Sequence, residues 1–282
     1  MPSAKAFAPA KINLTLHVTG QRGDGLHLLD SLVVFADVGD WVRVEPAPSN
    51  TFSVIGPMAD GVPADESNLV VRAAKLIGIP ADILLEKHLP AASGIGGGSS
   101  DAAAALRAFS DCFGVAVPDA ATAATLGADV PACLRARPCR MTGIGDELAD
   151  VPDLPPLHFV LVNPGVSVST PHVFTALSAK RNRPMPADLP EWKETGDFAQ
   201  WLARQTNDLE LPARGLVPAI GVVLARLAQT GGCLLARMSG SGATCFGLYA
   251  TRTEAEVAAR AIAESHTGWW VAACSEWSLA RN

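Results

Sequence analysis

The 282-residue sequence predicts an α+β fold in two lobes that meet near residue 150. Three observations carry the prediction. Strand-like stretches crowd the N-terminal third. A glycine-rich run leads from a short strand into a strong helix. The last quarter reads strand, turn, strand, helix, strand, with a ferredoxin-like character. The length suits one large domain or two intimate ones, divided here as 1–150 and 151–282. Hydrophobic residues make up 49% and charged residues 18%, which favours a sizeable core over disorder.

Taken in order, Ile12–Val18 alternates apolar and polar side chains as a half-buried strand does. A turn cluster, Gly20-Gln21-Arg22-Gly23-Asp24-Gly25, follows. Ser31–Ala36, Trp41–Glu45 and Thr51–Ile55 are separate strand candidates, parted by Gly, Asp and Pro. Ser67-Asn68 is suited to cap a helix running to Ile77 with Leu69, Ala73 and Leu76 on one face. Ile83–Lys87 is a short strand. A helix then opens at Ser99, Ser100 and Asp101, places Ala102, Leu106, Phe109 and Phe113 at helical spacing, and ends at Gly114. A short helix over Asp119–Leu126 precedes Gly127-Ala128-Asp129-Val130-Pro131, and Phe159–Val162 is a buried strand. Lys180–Trp192, rich in proline and charge, reads as a mobile surface connection. Helices over Asp197–Arg204 and Val217–Gln229 lead to strands Cys233–Met238 and Thr244–Tyr249, helix Glu254–Ser265 and strand Trp270–Trp277. No internal repeat is evident.

The central feature is Leu89-Pro90-Ala91-Ala92-Ser93-Gly94-Ile95-Gly96-Gly97-Gly98-Ser99-Ser100-Asp101. Glycines between a strand and a helix let backbone N–H groups approach an anion with no Cβ in the way. The helix N-terminus adds unpaired donors and a partial positive charge, completing a phosphate cradle. Ser99 and Ser100 can add hydroxyl donors. A Walker A loop is excluded because no lysine stands in the required place. A dinucleotide fingerprint is excluded because the preceding chain is β-rich rather than βαβ.

Phosphoryl transfer asks for positioning, charge neutralisation and a group to orient or deprotonate the acceptor hydroxyl. Asp129, a carboxylate amid Leu, Ala, Val and Pro, is one candidate; a cap or turn role suits the same position. Lys11 opens an otherwise apolar strand, from which it can reach solvent along the sheet or pair with a buried carboxylate. His27 follows the glycine turn and suits either a ligand contact or a structural bond. The six histidines show no metal-ligand spacing. Ser239-Gly240-Ser241-Gly242-Ala243 lies between two strands and lacks the helix that a nucleophile elbow requires, so it reads as a tight turn near a ligand.

Other classes recede. Net charge is −6, and no basic stripe offsets it, which opposes nucleic acid as a partner. The start has no signal-peptide core and no run approaches the roughly 20 apolar residues of a membrane span, so a soluble, cytoplasmic protein is expected. The six cysteines (112, 133, 139, 233, 245, 274) are scattered and form no Cys-x-x-Cys pair, which suits small buried hydrophobes in a reducing compartment.

Together these segments resemble the GHMP kinase superfamily. Pro9-Ala10-Lys11-Ile12-Asn13-Leu14, the turn ending in Leu26-His27, Ile95–Ala103, Leu126–Pro131, Pro164–Thr170, Asn207–Glu210 and Met238–Ala243 run in that family's order across most of the chain. The glycine loop marks the superfamily. Lys11, the His27 turn and the Ala128-Asp129-Val130-Pro131 segment narrow it to the branch that uses ATP to phosphorylate the 2-hydroxyl of a cytidine diphosphate-linked methylerythritol in the non-mevalonate isoprenoid pathway. The resemblance implies a two-lobed fold, with an N-terminal lobe like domain 2 of ribosomal protein S5 containing a left-handed βαβ, and a ferredoxin-like C-terminal lobe. It implies that the loop Pro90–Ser100 holds ATP phosphates, that Asp129 takes the acceptor's proton, and that Lys11 pairs with Asp129. Asn13 and Asn207 line the erythritol end, His27 reads the cytosine edge and Phe174 stacks on the base, with Mg²⁺ accompanying ATP and no protein ligand assigned to it. Leu26 departs from the aromatic usual there and gives apolar contact without a stack. Asp101 stands where asparagine is common; it is expected to cap the helix and to need an offset for its charge, by Mg²⁺. A monomer or homodimer is expected. Two other readings stand beside this one: another GHMP kinase, of homoserine or mevalonate type, and a non-catalytic nucleotide- or RNA-binding protein on the same fold.

Overall fold

One long strand organises the N-terminal half. The computed structural model describes residues 3–279. In it β1 (Ala4–Asn13), β2 (His17–Gln21) and β3 (His27–Pro46) form antiparallel pairs, β1 and β2 both lying on β3. β4 (Thr51–Ile55), α1 (Leu69–Ile77) and β5 (Ala81–Glu86) make a βαβ unit whose strands are parallel neighbours. α2 (Gly97–Phe113), α3 (Ala120–Ala124) and α4 (Val130–Arg135) follow, then the small antiparallel pair β6 (Cys139–Thr142) and β7 (Glu147–Ala149).

The two strands expected at Ser31–Ala36 and Trp41–Glu45 are one strand, β3. Gly39 does not interrupt it because the chain there passes against β1: a Cβ on Gly39 would stand 2.2 Å from the Ala8 carbonyl oxygen. The opposite strand carries a bulge between Pro9 and Lys11 at this point. The single strand expected over Ile12–Val18 is instead the end of β1, a link through Leu14, Thr15 and Leu16, and the start of β2. Apolar and polar side chains alike are buried through the link, and the ladder is replaced there by other bonds; Leu16 N–H donates to the Thr206 carbonyl at 2.8 Å.

Helix starts follow local chemistry. The Asn68 side chain accepts from Val70 N–H at 2.9 Å, capping α1, and Gly78 closes it at φ 73°. The buried face is Val70, Ala73 and Ala74; Leu76, expected inward, is 40% exposed. α2 begins two residues earlier than expected, at Gly97, with Gly96 as its N-cap in the left-handed region. Asp101 therefore lies in the second turn and caps nothing.

In the C-terminal half, β8 (His158–Asn163) is followed by α5 (Thr170–Thr175), α6 (Thr195–Ala203), α7 (Glu210–Leu216) and α8 (Ala219–Ala228). The helix expected over Val217–Gln229 is α8 alone, since Val217 and Pro218 separate it from α7. Then come β9 (Leu235–Met238), β10 (Cys245–Tyr249), α9 (Arg252–Ser265) and β11 (Trp270–Trp277). The strand order β11-β8-β10-β9 is that of a ferredoxin-like sheet. β11 also pairs with β3 through Glu276 and Trp277, so the sheet continues from one half into the other. α9 opens with a full capping box between Thr251 and Glu254.

Lys180–Trp192 is not the free connection its prolines suggested. Arg140 grips both oxygens of Asp30 at 2.7 Å and donates to the carbonyls of Met185, Pro186 and Ala187. Asp30 also accepts from Met185 N–H at 2.8 Å. Met185 and Trp192 are buried in a core shared with Phe159, Phe198 and Phe246. Apolar anchors and the Asp30–Arg140 ion pair, invisible to local composition, hold the segment down.

Candidate active site

A cleft of about 570 Å³ runs between the halves. One wall is the glycine loop. It lines the cleft from Pro90 to Gly94 and from Gly96 to Ser99, whereas Ile95 is wholly buried and Ser100 turns inward, its hydroxyl donating to the Pro9 carbonyl at 2.7 Å. The first ladder bond of α2 is Ser100 N–H to the Gly96 carbonyl, at 2.8 Å. The N–H groups of Gly97, Gly98 and Ser99 stand ahead of it, outside the helix ladder, as an anion requires.

The loop is wedged between two neighbours. Lys11 N–H donates to the Ile95 carbonyl at 2.9 Å, and Thr244 N–H to the Ser93 carbonyl at 3.0 Å. Gly94 has φ 76°, and a Cβ on it would meet the Ser239 carbonyl oxygen at 2.6 Å and Gly242 N at 2.7 Å. The Ser239–Gly242 turn is thus in backbone contact with the phosphate loop, which only glycines on both sides permit. Asn207 holds that turn: its Nδ2 donates to the carbonyls of Met238 (2.7 Å) and Gly240 (2.8 Å), and its Oδ1 accepts from Leu209 N–H. Every polar atom of the side chain is committed to the scaffold. Asn207 therefore shapes the site by fixing this turn.

Lys11 and Asp129 meet. Lys11 Nζ lies 2.7 Å from Asp129 Oδ1; the lysine side chain is 4% exposed and the carboxylate 36%. Asp129 occupies the N-cap position of α4 but makes no capping bond with its side chain. The alternative of a simple cap is thereby set aside: the carboxylate faces the cleft and the ammonium. Gly96 makes room for this pair, since a Cβ there would lie 3.1 Å from Lys11 Cβ. Asn13 and Ser31 line the cleft beside them, Asn13 Nδ2 donating to Ser31 Oγ at 2.8 Å.

At the far end the structure brings His27 and Phe174 together. Their rings stack on each other, with centroids 4.6 Å apart and planes 22° from parallel. Phe174 lines the cleft; His27 Nε2 is buried without a partner among the described residues. Burial, and secondarily the Lys180 charge, lower the His27 pKa, so the ring is neutral at pH 7. Leu26 is 48% exposed at the rim.

Two groups of cleft residues escaped the sequence reading. Val62, Pro63, Ser67, Asn68 and Leu69 form the wall opposite the loop. Beneath the loop lie Lys87 and Asp101. Lys87 Nζ binds Asp101 Oδ2 at 2.9 Å and also Asp40 Oδ2. Lys87 is thus the cation beside Asp101, shared with Asp40. The signal was present in β5: Ala81, Ile83 and Leu85 alternate inward, and Lys87 continues the same phase. Cys133, buried behind Asp129, has its thiol pushed up to about 12 by burial and is inert.

Among the described residues no cluster of three or more His, Cys, Asp or Glu side chains could hold a metal ion.

The chain matches the model of the GHMP kinases N terminal domain over residues 68–137 and that of GHMP kinases C terminal over residues 187–267. A protein of Dinoroseobacter shibae named 4-diphosphocytidyl-2-C-methyl-D-erythritol kinase is 59% identical over 267 residues, covering 94% of this chain and 92% of that one. A protein of the same name from Cereibacter sphaeroides is 58% identical, covering 95% and 97%. A crystal structure of 4-(cytidine 5'-diphospho)-2C-methyl-D-erythritol kinase superposes with a TM-score of 0.78 at 36% identity, over 97% of this chain and 100% of that one. Homoserine kinase from Cytophaga hutchinsonii, at 19% identity and TM-score 0.68 over 99% and 95%, shares the fold.

Proposed function

The chain belongs to the GHMP kinase family, in its 4-diphosphocytidyl-2-C-methyl-D-erythritol kinase branch, and we propose that it transfers the γ-phosphoryl group of ATP to the 2-hydroxyl of that branch's cytidylated substrate. It is an ATP-dependent small-molecule kinase. The observation that carries the substrate-level reading is the Lys11–Asp129 pair, set against the glycine loop in one cleft.

The proposed division of labour follows the geometry. The triphosphate lies along the loop, its oxygens toward the N–H groups of Gly97, Gly98 and Ser99. The wall of Val62, Pro63 and Leu69 supplies apolar cover for the adenine. Asp129 Oδ accepts the proton of the acceptor hydroxyl as its oxygen attacks phosphorus, and ADP leaves. Lys11 holds that carboxylate in place and faces the charge spread over the transferring group. Asn13 contacts the erythritol. His27 and Phe174 form the base end: the cytosine stacks on Phe174, and the unpartnered His27 Nε2 supplies an edge contact. Mg²⁺ bound to the nucleotide phosphates would supply charge neutralisation there. The active unit is a monomer or homodimer in the cytoplasm; no helix among the described residues is long and apolar enough to cross a membrane. Residue 150 is the proposed division between the lobes.

Cytidine diphosphate tests the base end directly, as it should compete with the acceptor substrate. Absence of competition at millimolar concentration removes the cytidine reading and favours a homoserine- or mevalonate-type acceptor.

A further inference from the structure

Asp40, Lys87 and Asp101 come from three elements, β3, the end of β5 and α2, and meet beneath the phosphate loop. They are 0%, 3% and 3% exposed. Asp40 is fully engaged as an anion: Oδ1 accepts the N–H groups of His88 (2.5 Å) and Leu89 (2.8 Å), and Oδ2 accepts from Lys87. Asp101 is the surplus carboxylate. Its Oδ2 shares the same ammonium at 2.9 Å, and its Oδ1 is buried with no partner among the described residues. Two anions on one cation leave a buried charge of −1 under a loop suited to anions, which is unfavourable without a proton.

Lys87 and Asp101 both line the nucleotide end of the cleft. A Cβ on Gly97 would lie 3.3 Å from Lys87 Nζ, so the ammonium sits directly against the first residue of α2. The other charges near the loop are occupied elsewhere. Lys11 pairs with Asp129; on α1, Arg72 donates to the Thr125 carbonyl and Lys75 pairs with Glu66. Among the described residues, the charged groups facing Asp101 are thus Lys87 and Asp40.

We propose that Lys87 is a second cation of the nucleotide site, positioned by Asp40, and that a proton on Asp101 frees it to face the phosphates. With Asp101 protonated, the cluster is neutral and one Lys87 N–H is released toward the cleft. With Asp101 ionised, that N–H is recaptured and a negative charge stands under the loop. Nucleotide binding is therefore coupled to proton uptake. Burial, partly offset by Lys87, pushes the Asp101 carboxyl up to about 8. Affinity is full below that value and falls as pH rises through it. The proposal rests on the nucleotide reading of the cleft.

The experiment is calorimetric titration of the intact chain with Mg·ADP, in two buffers of different ionisation enthalpy, from pH 7.5 to 9.5, where the nucleotide's own charge is constant. Wild type should take up about half a proton at pH 8 and lose affinity about tenfold per unit above it. Asp101→Asn should bind with no proton uptake and a flat profile. A purely structural role leaves proton uptake equal in both proteins, and that result, or no uptake by wild type, overturns the coupling. Wild-type titration alone decides the matter if the variant fails to fold. Absence of Mg·ADP binding at every pH would instead remove the nucleotide reading itself.

Discussion

Replacing Asp129 by Asn removes the proton acceptor while keeping its shape. The side-chain oxygen can still accept from Lys11, whose Nζ lies 2.7 Å away, so the local geometry should persist. Two free-energy effects are separable by size. General-base catalysis contributes about 10²–10⁴-fold, or roughly 3–5 kcal/mol of barrier. The lost charge in the ion pair is worth about 1 kcal/mol at most, because the carboxylate is 36% exposed and water screens it. That destabilisation lowers Tm by only a few degrees in a chain of this size. Steady-state release of ADP, coupled to a spectrophotometric readout, should show turnover down at least a hundredfold with the KM for ATP nearly unchanged. A parallel thermal melt should show a folded protein. Wild-type turnover in a folded Asp129→Asn protein refutes Asp129 as the base. A collapse of ATP affinity with turnover intact would move the residue's role to nucleotide binding.

Three further outcomes are expected. Leu26→Tyr, at an exposed rim position, should lower the KM for the cytidylated acceptor about fivefold or more through base stacking of roughly 1–3 kcal/mol, leaving the KM for ATP alone; an unchanged value means the stack is supplied elsewhere. Gly94→Ala should cost more than about 2 kcal/mol in chemical denaturation, since its Cβ meets backbone at 2.6 Å where φ is 76°; a cost under about 1 kcal/mol contradicts the tight contact between loop and turn. Asn207→Ala leaves two carbonyls and one N–H without their partner, and should destabilise by about 1–3 kcal/mol. A direct substrate contact would instead appear as a raised acceptor KM in a protein of unchanged stability.

Much of the fold was readable because its signals are local. Asn68 and Gly78 bracket α1, Gly114 ends α2, and the closing strand–helix–strand pattern gives the ferredoxin-like sheet. Several short helices were not readable. α4, α5 and α7 have six, six and seven residues, too few turns for a helical period to emerge. β3 was split at Gly39 because glycine usually breaks strands. Here it admits Ala8, a contact 31 positions away that no local rule contains. The same limit applies at the site. Lys11 and Asp129 could each be singled out by a charge in apolar company, and their meeting was implied by the family resemblance. Asp101 carried an ordinary helix-cap signal, and only packing shows that its partner is Lys87. The grip of Asn207 on the carbonyls of Met238 and Gly240 was not readable either, since sequence does not say which way a side chain faces. Arg237 is a related case: buried, it spends its guanidinium on the carbonyls of Leu14, Leu202 and Gln205, tying the halves together away from the chemistry.

The central claim is that the Lys11–Asp129 cleft phosphorylates a cytidylated polyol. The direct measurement is ADP release from Mg·ATP with each of three acceptors: 4-diphosphocytidyl-2-C-methyl-D-erythritol, homoserine and mevalonate. The account predicts turnover with the cytidylated acceptor, a product bearing one new phosphate on the 2-hydroxyl, and no turnover above background with the other two. Turnover with homoserine or mevalonate and none with the cytidylated acceptor would contradict it.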